Sequence, residues 1–186
     1  HLEVFSPCLD QVATKYVLGM AEDDFIIPET INTTIEFLEA HSSFVAAQGR
    51  QIAFSTDSDG PYSNTIRTMP LNMVNFSIEG ACAEDRVKLS MSQNTQAPKL
   101  SYSVMVTSTA VKLYKEILSL GLNHSHNEGM TCKMFLLSGN FKLIDDLYIA
   151  RQYHSSNSAI RAHGTYVPII TQSKTGILYK PIDDLK

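Results

Sequence analysis

The first half of the chain changes from a strand-like to a helix-like spacing of apolar positions. Residues 16–21 form an apolar run that predicts a buried strand, and three acids at 22–24 follow it directly. Residues 28–40 begin with proline and carry apolar positions at i, i+4 and i+7, which predicts a helix. Residues 44–48 predict a short strand, and Gly49 is expected to end it. This alternation favours an α/β layered domain.

The pattern is weaker between residues 55 and 99. Residues 55–70 are polar and rich in turn-forming residues, which indicates a loop. Residues 83–91 predict a helix that carries Arg86 outward. A section with so few regular elements is where a scaffold commonly carries its specificity.

Regular spacing returns at residue 100. Within residues 100–107, Tyr102, Val104 and Val106 alternate with serine and methionine, as in a half-buried strand. Ser108 is expected to cap the next helix, and Gly121 is expected to end it. One apolar stripe runs along this helix, formed by Ala110, Leu113, Tyr114, Ile117 and Leu118.

A fourth helix is predicted to begin at Glu128, after a polar turn over residues 123–127, and to stop at Gly139. Its apolar face is expected to consist of Met130, Met134 and Leu137. Two strands, 141–144 and 147–153, are predicted to follow, with a turn of two aspartates between them.

The composition limits the classes of protein that fit this pattern. With 186 residues, 44% of them hydrophobic, the chain is long enough for one buried core, and we expect a single domain over residues 1–186. The net charge of −4, from 15 basic and 19 acidic residues, argues against nucleic acid as a partner. Apolar runs stay short of the roughly 18 residues of a membrane span, so we expect a soluble chain.

Cysteine usage indicates a reducing compartment. Cys8, Cys82 and Cys132 are odd in number, widely spaced and without a CxxC pair, which fits neither a disulfide framework nor a structural zinc site. All three are interpreted as buried small hydrophobes, and the cytoplasm is the predicted location. His1 in place of methionine indicates numbering that starts inside a longer product.

The three acids at 22–24 are the first feature with chemical meaning. Adjacent carboxylates repel one another, so a cation between them is expected, and a divalent metal is the obvious candidate. On an extended chain Glu22 and Asp24 share one face and Asp23 takes the other, so a metal would receive two oxygens from the first face. An acidic, solvated loop at a strand end is the alternative, and the local pattern leaves the two interpretations level.

Two separated segments together resemble a known family. The first covers residues 16–49 and includes the three acids, and the second covers residues 127–143 with Glu128 near its start. In this order and spacing they resemble the central part of family 2-type glycosyltransferases with the GT-A fold. In that family a strand delivers an acidic DxD motif, and a later xED motif precedes a helix, a glycine and a strand.

The resemblance implies a GT-A-like mixed sheet flanked by helices over residues 7–154, with residues 155–186 as a C-terminal extension. The nucleobase-binding strands of the family would precede residue 1, so the fold is expected to be incomplete at its N-terminus. The implied reaction transfers a sugar from a nucleotide-sugar donor to a hydroxyl of a glycan, lipid or small-molecule acceptor, with inversion.

The resemblance also implies roles for four residues. Glu22 and Asp24 occupy the DxD positions that hold Mg²⁺ or Mn²⁺ against the diphosphate, where the metal offsets charge on the leaving group. Asp23, between them, is predicted to be a cofactor-binding residue. Glu128 takes the position of the general base that receives a proton from the acceptor hydroxyl, and a helix N-terminus would keep it ionised.

Two downstream residues complete the implied site. His154 matches the place where many GT-A enzymes put a histidine that completes the metal shell, and an exposed loop histidine is an equal alternative. Arg151 is predicted to be a cofactor-binding residue that neutralises phosphate, with pairing to a nearby acid as its alternative.

Departures from the family pattern keep two other hypotheses open. Glu22 stands where Asp is commoner, and Gly129 stands where the family often has Asp. One alternative is therefore a non-catalytic, truncated GT-A-like domain that binds a glycan or a protein. The other is a metal-dependent phosphoesterase, which would need two metals and more ligands than the sequence offers.

Overall fold

The structure, a computed structural model, describes residues 7–21, 24–56, 66–70, 76–92, 100–121, 124–152, 166–169 and 178–181. The described strands are β1 (Tyr16–Leu18), β2 (Asp24–Ile26), β3 (Phe44–Thr56), β4 (Ile66–Pro70), β5 (Val104–Val106), β6 (Asn140–Gln152), β7 (Tyr166–Ile169) and β8 (Leu178–Pro181). The described helices are α1 (Pro28–Ala40), α2 (Ala83–Ser92), α3 (Thr107–Ser119) and α4 (His124–Ser138), with a 3₁₀ turn at Leu100–Tyr102.

Six of these strands form one mixed sheet. Its order is β1-β5-β3-β6-β2, and β4 pairs with β3 outside that path. The strands β3 and β6 are parallel, whereas the β1–β5, β3–β5 and β2–β6 pairs are antiparallel. The predicted α/β class, a mixed sheet flanked by helices, is confirmed.

Helices cover both faces of this sheet. Val104 and Met105 are neighbours in β5 but belong to different cores, because successive side chains of a strand point to opposite faces. The core on the α3 and α4 side includes Ala46, Met105, Tyr114, Phe135 and Phe141. The core on the α1 side includes Leu38, Ala47, Val104, Tyr148 and Ile149.

The chain divides into two compact units. The first comprises His1–Phe54 and Thr68–Gln152, and the second comprises Ser55–Arg67 and Tyr153–Lys186. Within the second unit β7 and β8 form an antiparallel pair, with Tyr166 opposite Pro181. The single domain over residues 1–186 stays a prediction.

The predicted helix over residues 28–40 is confirmed, although its buried stripe is more polar than expected. Thr30 and Thr34 are buried together with Leu38. The Thr30 hydroxyl donates to the Leu147 carbonyl at 2.6 Å, and the Thr34 hydroxyl donates to the Thr30 carbonyl at 2.6 Å. These hydrogen bonds satisfy the hydroxyls, which is why threonine is tolerated there.

The prediction for α3 is correct along the stripe and wrong at the start. Ala110, Leu113, Tyr114 and Ile117 are buried as expected. Ser108 is not the cap, since the helix begins at Thr107 and Val106 at the N-cap makes no side-chain cap hydrogen bond. Gly121 has φ of 60°, the left-handed backbone that glycine supplies at a helix end.

Gly49 does not end a strand, because β3 continues through it to Thr56. A register irregularity lies between Gln48 and Arg50, and a Cβ built on Gly49 would lie 2.5 Å from the Tyr148 Cβ. The glycine therefore allows β6 to approach β3 closely, and it does not mark a turn.

Arg86 points inward, contrary to the prediction. The residue is 9% exposed, and its guanidinium donates to the carbonyls of Leu136 at 2.6 Å, Leu137 at 3.1 Å and Gly80 at 3.0 Å. Carbonyls at a helix C-terminus lack intrahelical partners, and Arg86 supplies hydrogen-bond donors to two such carbonyls at the end of α4.

Helix α4 begins earlier than predicted, at His124, and buries a different face. Thr131, Cys132, Phe135 and Leu136 are buried, while Leu137 is 51% exposed. Helix α4 packs against both α2 and α3, which selects this wider face.

The two strands predicted around the aspartate turn are one continuous strand, β6. Asp145 lies within it as an exposed residue and forms an ion pair with Arg50 of β3. Strand β6 pairs in parallel with β3 on both sides of the aspartates, and the register shifts opposite them, between Gln48 and Arg50. The pairing on both sides keeps β6 one strand, which the local aspartates alone would not predict.

Two cysteine assignments are wrong. Cys132 is buried as predicted, but Cys8 and Cys82 are exposed. Among the described helices, none has the length and apolar content that crossing a membrane requires.

Candidate functional site

The acidic segment joins the two strands that lie at opposite edges of the sheet. The first edge strand ends at Leu18, and Asp24 is the first residue of the second. The acids were predicted at the end of a strand, but Asp24 instead opens β2 and pairs with β6. The Asp24 N–H donates to the Ala21 carbonyl at 3.3 Å, so the residues that flank Glu22 and Asp23 are tied together.

Asp24 and Arg151 form a buried ion pair. They lie directly opposite each other on β2 and β6. The Arg151 Nε donates to the Asp24 Oδ2 at 3.2 Å, and the two side chains are 20% and 2% exposed respectively. A carboxylate this deeply buried requires a charged partner, because taking it out of water unpaired costs several kcal/mol.

Tyr102, which packs beside the α1-side core, holds Arg151 in place. The Arg151 Nη2 donates to the Tyr102 hydroxyl at 2.8 Å, and the guanidinium carbon lies 4.1 Å from the centroid of the Tyr102 ring. A planar guanidinium both stacks on an aromatic face and donates in fixed directions, so Asp24 and Tyr102 together restrict its orientation.

A buried amide lies one row away on the same sheet face. Gln51 is opposite Ile149, while Ala53 is opposite Arg151, so Gln51 and Arg151 are diagonal neighbours. Gln51 is 7% exposed, and neither its amide nitrogen nor its amide oxygen has a hydrogen-bond partner within the described part of the chain. We call Asp24, Arg151, Tyr102 and Gln51 the polar row.

Some of the predicted site residues lie outside the described part of the chain, and the others lie within it. Glu22, Asp23 and His154 lie outside the described residues. Glu128 lies four residues after the start of α4, rather than at the first residue of that helix. The described ranges contain no group of three or more His, Cys, Asp and Glu residues arranged to hold a metal. The roles of Glu22, Asp23, Asp24, Glu128 and His154 stay predictions.

For Arg151 the structure shows the pairing with a nearby acid, and its contact to a cofactor stays a prediction. Sequence reasoning missed the other two members of the polar row. Tyr102 follows the apolar alternation of a strand, and Gln51 lies beyond the glycine that was expected to end β3. Their partners are distant in sequence, so no local pattern marks them.

The sequence matches no protein-family model and no curated protein. Among solved structures it is similar to S. aureus TarS 1–349, a glycosyltransferase, with a TM-score of 0.47 and 16% identity. The alignment covers 79% of this chain and 38% of that chain. A likeness at this level assigns no function.

Proposed function

We propose that this chain is the metal-bearing, catalytic part of a glycosyltransferase that moves a sugar from a nucleotide-sugar donor to an acceptor hydroxyl. The observation that carries the proposal is the attachment of both motif segments to one strand. Helix α4, which contains Glu128, leads directly into β6, and the far end of β6 binds the start of β2 at Asp24. The two acidic segments, about a hundred residues apart in sequence, are therefore connected through one strand.

The donor chemistry of the acidic segment fits the implied metal. Carboxylate oxygens are the ligands that Mg²⁺ and Mn²⁺ prefer, and Glu22, Asp23 and Asp24 supply three carboxylates in succession. The metal would offset the charge that builds on the departing nucleotide diphosphate. Glu22 and Asp24 would hold it with His154, and Asp23 would contact the donor. Asp24 would have to exchange its ion pair with Arg151 for the metal.

Glu128 is the proposed general base. A carboxylate accepts a proton from the acceptor hydroxyl while it is ionised and within hydrogen-bond reach of that hydroxyl. The polar row then contributes a fixed, water-poor boundary on the Asp24 side, since Asp24 and Gln51 are both buried. A water-poor boundary strengthens electrostatic interactions with a charged donor.

The test is calorimetric titration of the chain with uridine diphosphate, with and without Mn²⁺. We expect binding that requires Mn²⁺, and a loss of about tenfold or more in affinity for Asp24→Asn and Glu22→Gln. Asp145→Asn is the control for removal of an acid elsewhere on the sheet, because Asp145 is exposed on β6 and pairs with Arg50. Its affinity should equal that of the unmodified chain. Thermal denaturation of Asp24→Asn checks that loss of its buried ion pair has not unfolded the chain.

A chain that binds the diphosphate equally well without Mn²⁺ would contradict the metal-dependent proposal. Binding of a glycan without any nucleotide binding would favour the non-catalytic alternative. Guanosine, cytidine and thymidine diphosphates are tested in parallel, so that a negative result with one base does not decide the outcome.

A further inference from the structure

Two aromatic rings form a partly exposed pair on the main sheet. The Phe25 ring of β2 and the Phe54 ring of β3 lie with their centroids 5.7 Å apart and their planes tilted by 54°. We propose that this aromatic pair, Phe25 with Phe54, binds the ring of a pyranose, which makes the acceptor of the proposed reaction a glycan. The word acceptor rests on the proposed function, whereas sugar binding depends on the described contacts alone.

The register of the sheet places both rings on one face. Phe25 lies opposite Ala150 of β6, and Ala150 lies opposite Ile52 of β3. Phe54 is two residues beyond Ile52, so the two side chains point to the same face. Strand β6 separates the backbones of β2 and β3 by roughly 9–10 Å. The small side chain of Ala150 leaves room for the two rings to lean towards each other across that gap.

The exposure of Phe25 sets it apart from the core. Phe25 is 59% exposed, whereas Asp24 before it is 7% exposed, because successive side chains of a strand point to opposite faces. Neither ring of the aromatic pair belongs to either core of the sheet. Single exposed apolar residues are common, but two rings in contact at a sheet edge form a patch that favours aggregation. Ligand binding supplies a reason for such a patch.

The chemistry of the patch fits an uncharged ligand with a flat apolar face. Its members Phe25, Phe54, Ile52 and Ala150 have neither charged nor hydrogen-bonding side chains, so they offer nothing to a phosphate or a carboxylate. The face of an aromatic ring is negative, and it therefore attracts the weakly positive C–H groups on one face of a pyranose. Two rings with centroids 5.7 Å apart span about the width of one sugar ring.

Two other kinds of occupant fit the patch less well. A stable protein interface takes roughly 20–30 residues a side, far more than this patch offers. Strand addition gains its affinity from main-chain hydrogen bonds, of which the three residues of β2 provide few. A membrane surface attracts clustered basic residues, whereas the patch has none and the chain has a net charge of −4.

The experiment is saturation-transfer difference NMR of the chain with methyl β-galactoside, whose ring hydrogens form a continuous apolar patch on one face. Titrations are run without nucleotide and again with uridine diphosphate and Mn²⁺. We expect saturation to reach the hydrogens of that face most strongly, with a dissociation constant of roughly 1 mM for a ligand of this size.

The decisive variants are Phe25→Leu and Phe54→Leu, which keep an apolar side chain and remove the aromatic face. The affinity for the galactoside should fall about threefold to tenfold in each. Phe25→Tyr keeps the ring and should bind as the native chain does.

Phe37→Leu is the matched control, since it makes the same substitution in another ring pair. Phe37 of α1 stacks on His41 with the centroids 4.2 Å apart. The affinity of this variant for the galactoside should equal that of the native chain. Thermal denaturation shows that each variant is folded.

No saturation transfer in either titration would overturn the inference, and the metal-dependent binding of nucleotide diphosphate would stand or fall separately. Equal affinity in Phe25→Leu and the native chain would also overturn it, because any apolar side chain would then serve, as it does for a lipid. Self-association that Phe25→Leu abolishes would assign the patch to a second copy of the chain. Sugar binding through the aromatic pair in a chain that binds no nucleotide diphosphate would refute the proposed function and uphold the sugar site.

Discussion

Buried polar side chains decide the chemistry of this molecule at the scale of single residues. Arg86 and Asp24 are buried and have hydrogen-bond partners. Gln51 is buried to a similar degree, yet its amide has no partner among the described residues. An amide in that state costs about 1–3 kcal/mol of stability, so its presence calls for a reason other than folding.

Replacing Gln51 with methionine should therefore stabilise the fold. Methionine has a similar length and no polar group to desolvate, so we expect Gln51→Met to raise the free energy of unfolding by about 1 kcal/mol. Urea denaturation followed by circular dichroism measures the change. If Gln51 serves ligand binding, the same variant should bind the nucleotide diphosphate more weakly while it is more stable.

Gln48→Met provides the contrast. Gln48 is also buried, but its Oε1 accepts a hydrogen bond from the Ser103 hydroxyl at 3.0 Å. Loss of that acceptor leaves the serine unpartnered, so this variant should lose about 1–2 kcal/mol. A destabilised Gln51→Met would mean that ordered water or another group satisfies the Gln51 amide.

At the scale of elements, the pairing of β3 with β6 depends on the close approach of these strands at Gly49. A Cβ there would meet the Tyr148 Cβ and the Asp146 carbonyl oxygen, both at 2.5 Å. The neighbouring strand would have to move, since a backbone atom cannot rotate away. The glycine thus sets the spacing between β3 and β6, and β6 in turn pairs with β2.

Gly49→Ala should destabilise the chain by about 1–3 kcal/mol, the usual cost of inserting a methyl group into a packed region. Gly49→Asn should be worse, because its side chain is larger. Thermal denaturation of both variants gives the ranking.

At Gly121 the ranking of the alanine and asparagine variants should reverse. Nothing lies within 4 Å of a Cβ built there, and φ is +60°. The cost there comes from the backbone, about 1–2 kcal/mol for alanine, and asparagine tolerates that conformation better. If asparagine were preferred over alanine at both positions, crowding would not be the reason for glycine at position 49.

At the scale of the whole molecule, burial of Tyr148 makes stability depend on alkaline pH. Tyr148 is fully buried on the α1 side of the sheet. Burial raises the pKa of its phenol above the ordinary value of 10.0. The folded state therefore keeps the proton at pH values where the unfolded chain loses it.

Since the folded pKa is raised, the contribution of Tyr148 is complete below pH 10 and decreases as pH rises above it. Between pH 10 and 11 the native chain should lose about 1 kcal/mol more stability than Tyr148→Phe. Urea denaturation at a series of pH values measures this difference. The two curves should run parallel below pH 9, and parallel curves up to pH 11 would refute the role of Tyr148.

The sequence by itself determined the elements whose signal is local. Apolar positions in α1 and α3 recur every three or four residues, so both helices were predictable, although the start of α3 and the buried threonines of α1 were not. The tertiary structure decided the burial of Arg86, whose carbonyl partners lie 50 and 51 residues away, and the pairing of Asp24 with Arg151 across 127 residues. It also decided that β6 runs through its aspartates as one strand. The physical reason is that burial and pairing of polar groups depend on partners that only folding brings together, whereas periodicity is a property of adjacent residues.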